Sequence, residues 1–222
     1  MDGKKSIIVG NKNLTIRKWK GKDKKVFVSE LKNRKGDEES IMNSLVYDCI
    51  DEDVTLSSAE FKYVLSRIRA FSLGEELEFN FRCDKCGEEF KKTLKLEDII
   101  RYSYKNIKEI NVNNIKIKLG EIKNRKFYET TIASNPEEKE IYDFLLRIDS
   151  FNGNDSFTLD DIVDMFDNLE VDELEEILRI WDDAKFKIDD INIITCPNES
   201  CNNEMKYIFD ELPGFFPDKW FK

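Results

Sequence analysis

The sequence predicts an α+β fold in which two β-hairpins, each turning through a pair of cysteines, form a four-cysteine ribbon. A mixed helical and β insert separates the hairpins, and a β segment precedes them. Three observations predict this. Strand-like residues flank Cys83-Asp84-Lys85-Cys86-Gly87 and again Cys196-Pro197-Asn198-Glu199-Ser200-Cys201. Apolar residues recur at helical spacing in 38–50, in 61–68 and in 158–187. Hydrophobic residues make up 40% of the 222, with 16 Phe among them, which is enough apolar material for a core.

The elements follow in order. Ser6–Val9, Leu14–Trp19 and Lys25–Val28 are rich in β-branched and aromatic residues and read as short strands. Gly10-Asn11 and Gly21-Lys22-Asp23 read as the turns between them. Ile41, Leu45, Val46, Cys49 and Ile50 share one helix face. Ser57 and Glu60 match a capping box, in which each side chain satisfies a backbone donor at the helix start. That helix runs through Phe61, Val64, Leu65 and Ile68, and Gly74 ends it. Leu77, Phe79 and Phe81 line one face of the strand entering the first cysteine turn, and Phe90 and Thr93 begin the return strand. Residues 107–119 read as a hairpin with Asn113-Asn114 at its turn. Asn135 caps a helix with Pro136 in its first turn, running to about Ile148. Residues 158–187 hold one or two acidic amphipathic helices, with Ile162, Met165, Phe166, Leu169, Leu174, Ile177, Leu178 and Trp181 on the apolar side. Strand residues 191–195 lead into the second cysteine turn, and Met205–Phe209 leads out of it.

The chain thus divides into a basic β segment (1–35), a helical region with the first cysteine hairpin (36–97), an insert (98–190), and the second hairpin with an aromatic tail (191–222). These are expected to form one compact unit.

Composition excludes several functions. There is no histidine, so imidazole catalysis and imidazole metal ligands are unavailable from this chain. Glycine-rich phosphate loops and a G-x-S-x-G elbow are absent. No apolar run approaches the roughly 18–20 residues that span a bilayer, so no membrane role is expected. The N-terminus lacks the apolar core of a signal peptide, which suggests an intracellular protein. The net charge of −10 is uneven: residues 1–35 hold 12 Lys/Arg against 3 Asp/Glu, the remainder 24 against 43.

The cysteines carry the sharpest signal. Zn²⁺ takes four soft or borderline ligands in a tetrahedron, and a tight turn with two to four residues between cysteines places both sulfurs on one side of the metal. Cys83 and Cys86 have two residues between them, and Cys196 and Cys201 have four. Gly87 suits the turn, because glycine accepts positive φ. The pairs lie 109 residues apart, a separation whose closure cost grows only logarithmically. A closed four-thiolate site is structural rather than catalytic. Disulfides are disfavoured without a secretion signal, and a redox pair at Cys83 and Cys86 would open a helix where the sequence looks extended. Cys49 falls on an apolar helix face and reads as core.

Other candidates are surfaces. Arg17, Lys18, Trp19 and Lys20 mix basic and aromatic character and could meet an acidic partner or, as a competing reading, nucleic acid. The acidic body opposes phosphate binding. The run from Asp160 to Glu176 lacks a calcium-loop pattern and reads as a solvated helix face. Phe215, Phe216, Trp220 and Phe221 form an aromatic tail suited to packing or docking.

Three segments together resemble a known family. They are Leu14-Thr15-Ile16-Arg17, Ser66-Arg67-Ile68-Arg69-Ala70-Phe71-Ser72-Leu73-Gly74, and Glu75-Glu76-Leu77-Glu78-Phe79-Asn80-Phe81-Arg82 entering Cys83-Asp84-Lys85-Cys86-Gly87. They resemble the baseplate hub assembly proteins of T-even-type contractile-tailed phages, over roughly residues 10–100. The resemblance implies a non-enzymatic assembly factor, chaperone or minor hub component. Its partners would be baseplate hub proteins, in the host cytoplasm during assembly and in the virion baseplate. The alternative is a zinc-ribbon nucleic-acid or transcription accessory protein. A thiol oxidoreductase at Cys83 and Cys86 is the enzymatic competitor.

Overall fold

The computed structural model describes residues 3–33, 38–122, 125–134, 138–189 and 191–208. The fold is α+β, with helices and antiparallel sheets. The chain forms two compact units: one from Met1–Glu52, Phe61–Tyr102 and Ile188–Lys222, the other from Asp53–Glu60 and Ser103–Lys187.

The first unit begins with a hairpin. Strands β1 (Lys4–Val9) and β2 (Lys12–Arg17) pair antiparallel from Lys4↔Arg17 to Val9↔Lys12. Gly10, at φ 59°, makes the turn. Alternation buries Ile7, Val9, Leu14 and Ile16 on one face.

Helix α1 (Gly21–Asn33) corrects the sequence reading, which gives a turn at 21–23 and a strand at 25–28. A short Val-Phe-Val run is ambiguous between strand and helix on periodicity alone. Two local facts decide it. Asp23 accepts from the Lys20 backbone N–H at 2.6 Å, satisfying a helix-start donor. Asp23 and Phe27, four residues apart, are both buried while Lys25 and Val26 between them are exposed, the spacing of one helix face.

Helix α2 (Glu38–Tyr47) buries Ile41, Leu45 and Val46, as the spacing predicts, but it ends before Cys49 and Ile50, which the sequence reading places on the same face: Cys49 lies in the turn that follows, and Ile50 bridges to Ile16 of β2. Helix α3 (Ser58–Leu73) is preceded by the expected capping box: Ser57 N–H donates to Glu60 at 2.8 Å, and Glu60 N–H to Ser57 Oγ at 3.3 Å. Its buried stripe is Val64, Leu65 and Ile68, and Gly74, at φ 103°, ends it. Strands β3 (Glu76–Arg82) and β4 (Glu89–Lys95) pair from Glu76↔Lys95 to Arg82↔Glu89. The short helix α4 (Leu96–Ile99) and strand β5 (Arg101–Ser103) follow.

The second unit is built on a three-stranded antiparallel sheet. Strands β6 (Glu109–Val112) and β7 (Ile115–Leu119) form the expected hairpin, with Asn113 at φ 50° in the turn. Helix α5 (Arg125–Ser134) gave no cap or clean stripe to read from sequence. Its hydroxyls serve the helix: Thr130 and Thr131 donate to the carbonyls of Lys126 and Phe127. Helix α6 (Lys139–Leu145) ends before Ile148, where the sequence reading carries it on. The proposed cap at Asn135 and Pro136 lies outside the described residues. Ile148 instead opens β8 (Ile148–Phe151), which joins β7 as the third strand; four residues are too few to show a period.

Helices α7 (Leu159–Asp167) and α8 (Val171–Ala184) are the two acidic amphipathic helices. Thr158 and Asp161 form the capping box of α7. Ile162, Phe166, Ile177 and Trp181 join Ile110, Ile117, Phe144 and Ile148 in one core. Phe144 stands edge-on to Phe166, with ring centroids 5.6 Å apart. The acidic run behaves as a solvated face, with Asp160, Asp164, Asp167, Glu170 and Asp172 exposed. Strand β9 (Lys187–Asp189) pairs with β5. Strands β10 (Ile191–Thr195) and β11 (Glu204–Ile208) then form the last hairpin of the first unit.

Candidate metal centre

Two hairpin ends create the site. The β3–β4 ladder closes at Arg82↔Glu89, and one step beyond it Cys83 N–H donates to Glu88 C=O at 2.8 Å. The β10–β11 ladder closes at Thr195↔Glu204, and one step beyond it Cys196 N–H donates to Asn203 C=O at 2.9 Å. The two turns therefore correspond residue for residue at their bases, although the second holds two more residues between its cysteines. The residue after each second cysteine adopts positive φ: Gly87 at 74° and Asn202 at 43°. Asparagine is among the few side-chain-bearing residues that accept this region readily, so it replaces glycine there.

The hairpins meet through aromatic rings. Tyr207 on β11 stands edge-on to Phe79 and Phe81 on β3, with centroids 5.7 and 5.3 Å away. Phe81 stacks on Phe90 across β3–β4 at 5.6 Å. This packing carries the four sulfurs to one point.

Cys83 Sγ lies 3.8 Å from Cys201 Sγ, and Cys86 Sγ lies 3.7 Å from Cys196 Sγ. All four sulfurs fall within 4.8 Å of one another. A disulfide needs about 2.05 Å, so these are free thiols. A tetrahedron with metal–sulfur bonds of about 2.3 Å has sulfur–sulfur edges of about 3.8 Å. The observed separations suit such a cage, and the cluster could hold a metal ion. Cys83 and Cys196 are buried, Cys201 is half-buried, and Cys86 is the exposed corner.

The thiols differ in how readily they ionise. Backbone N–H groups of Cys86 and Lys85 aim at Cys83 and hold its thiol down at about 6. Burial pushes Cys196 up to about 12, and the neighbouring thiols of Cys86 and Cys83 add to it. Cys201 is raised for the same reasons. Four thiolates this close repel one another, so full ionisation of the set requires a cation among them.

Cys49 stands apart as the sequence suggests: it is 1% exposed, and burial pushes its thiol up to about 12.

The N-terminal residues read as one basic–aromatic stripe are divided by the fold. Arg17 is turned inward, with Nη1 and Nη2 on the two oxygens of Asp23 at 2.6 and 3.1 Å and Nε on the Asp48 carbonyl at 3.0 Å. Trp19 is buried, and its backbone N–H donates to Ser72 Oγ. Lys18 and Lys20 are exposed, with the Lys18 ammonium 4.8 Å from the Phe71 ring centroid. Phe215, Phe216, Trp220 and Phe221 lie outside the described residues.

One charged cluster in the second unit gave no sequence signal. Arg147 packs over Trp181 at 5.8 Å and faces Glu60 at 3.6 Å and Asp143 at 3.7 Å. Tyr128 donates to Asp143 at 3.2 Å. Glu60 is 87 positions from Arg147, so no local pattern marks the pair.

An α+β scaffold whose two hairpins present four clustered thiols defines a four-cysteine ribbon protein. A family model described as T4 bacteriophage base plate protein matches residues 4–217, and the chain belongs to that family. Its setting is the phage tail baseplate. Comparison with individual curated proteins and with solved structures gave no match.

Proposed function

We propose that this protein is a non-enzymatic factor in assembly of the phage baseplate hub. It acts as a chaperone or minor hub component on a ribbon stapled by one structural Zn²⁺. The single observation that carries the reading is the four-thiol cluster in a chain of the baseplate family. Cys83, Cys86, Cys196 and Cys201 fit zinc by donor type and by their tetrahedral spacing. Four thiolates fill its coordination sphere and leave no position for substrate or water. The ion would supply a cross-link between chain segments 109 residues apart, not chemistry.

Partner binding then belongs to surfaces. Lys18 and Lys20 project from the basic N-terminal region and suit an acidic hub surface. Phe215, Phe216, Trp220 and Phe221 supply aromatic side chains of the kind that dominate interface energies. The protein would act in the host cytoplasm during assembly and, as a minor hub component, remain in the baseplate. Affinity capture of the tagged chain from phage-infected cells, read by mass spectrometry, tests this. Recovery of hub subunits of the baseplate supports it; capture of no tail protein rejects it.

A further inference from the structure

We propose that Asn203 is an outer donor of the metal centre, whose side-chain amide clasps the second cysteine turn to the thiolate of the first. This rests on the zinc reading above.

Asn203 touches three of the four ligands or their turns. Its C=O accepts the Cys196 N–H at 2.9 Å and closes the second turn. Its backbone N–H is directed at Cys201. Its Nδ2 lies 3.9 Å from Cys83 Sγ and also donates to Asp84 Oδ1. An amide NH₂ has two hydrogens, so one can serve the sulfur while the other serves the carboxylate. Asp84 thus fixes the direction of the amide, and the amide faces the thiolate.

Such a donor answers a charge problem. Four thiolates on a divalent cation carry more negative charge than the ion cancels, and N–H donors around the sulfurs offset the surplus. The corresponding residue of the first turn is Glu88, whose C=O accepts the Cys83 N–H as Asn203 accepts that of Cys196. A carboxylate cannot donate. The clasp is therefore one-sided, running from the wider turn to Cys83. Its location fits need: with four residues between its cysteines, the second turn is the less constrained of the two.

The test uses the full chain and zinc itself. Wild type, Asn203→Ala, Asn203→Asp and Glu88→Ala are loaded with Zn²⁺ and competed with a chelator, and the Co²⁺ forms are compared by their thiolate-to-metal charge-transfer band. Asn203→Ala is expected to weaken zinc binding about 10-fold, the usual effect of losing an outer donor. Its band should move to longer wavelength, because the thiolate loses a hydrogen bond. Asn203→Asp should lose at least as much, since its carboxylate faces Asp84 and the thiolate, and Glu88→Ala should match wild type. Asp84→Ala, at an exposed position, loosens the same amide and should shift the band less, which keeps the test open should Asn203→Ala fold poorly. A wild type that holds zinc, with all Asn203 and Asp84 variants matching it in affinity and band, overturns the clasp alone. A wild type that holds no zinc overturns the zinc reading and the clasp with it.

Discussion

Cys83 Sγ and Cys201 Sγ, 118 positions apart in sequence, lie 3.8 Å from each other. No sequence-local interaction could bring them together. The two hairpins do so by packing Tyr207 against Phe79 and Phe81 just below the turns. The aromatic contacts set the distance, and a metal would lock it.

Removing one sulfur should therefore open the lock. Cys201→Ser is expected to weaken zinc binding well beyond the roughly 10–100-fold cost of changing an outer residue. Cys49→Ser should leave zinc binding intact, because Cys49 is a buried core thiol apart from the set. Metal competition on the two purified variants checks both.

Backbone handedness at the turns gives a second prediction. Gly87 and Asn202 both hold positive φ, at 74° and 43°. Asn202→Gly should be tolerated, whereas Asn202→Val should cost about 1–2 kcal/mol, the penalty of forcing a branched residue into the left-handed region. Urea unfolding of the zinc-loaded variants measures this.

Much of this region was legible in sequence because its signals are local. Cysteine spacing, Gly87 and alternation in β3 all fall within a few residues of one another. The Ser57–Glu60 box and the Asn113 turn are equally local and equally visible. What stayed hidden was decided at a distance. Val26-Phe27-Val28 favours a strand by composition, yet Asp23 starts a helix and only one side of it is buried. Ile148–Phe151 becomes a strand because β7 offers an edge. Trp19 looked like a presented aromatic and is core. Asn203 sits two residues past a cysteine, where the sequence could suggest a turn but not its reach to Cys83.

Arg147 supplies a third prediction. It is half-buried beside half-buried Asp143 and buried Glu60; burial lowers its basicity, but Asp143 and Glu60 outweigh this and leave it raised. Arg147→Met strands those carboxylates and should cost about 3–5 kcal/mol. Arg147→Lys keeps the charge but loses the planar contact with Trp181, and should cost less. Thermal and urea unfolding of the two variants, compared with wild type, would show this order.

The Arg17–Asp23 pair predicts a pH dependence. Burial pushes the Asp23 carboxyl up, but Arg17 and the Lys20 N–H outweigh it and hold it below its ordinary value of 3.8. A carboxylate whose folded value is depressed stabilises the fold above its unfolded value, and that stability is lost as pH falls through the folded one. Asp23→Asn should therefore be less stable than wild type by about 1–3 kcal/mol at pH 7. The gap should close as the pH is taken below about 4. Comparing both proteins at each pH cancels any metal loss they share.

The metal is the central element of the proposed role. Its direct test is the zinc content of the purified chain, measured together with its free-thiol titre. The expected result is one zinc per chain, with Cys83, Cys86, Cys196 and Cys201 protected from alkylation until a chelator is added. Less than about half an equivalent of zinc, with those four cysteines reduced and freely alkylated, would contradict it.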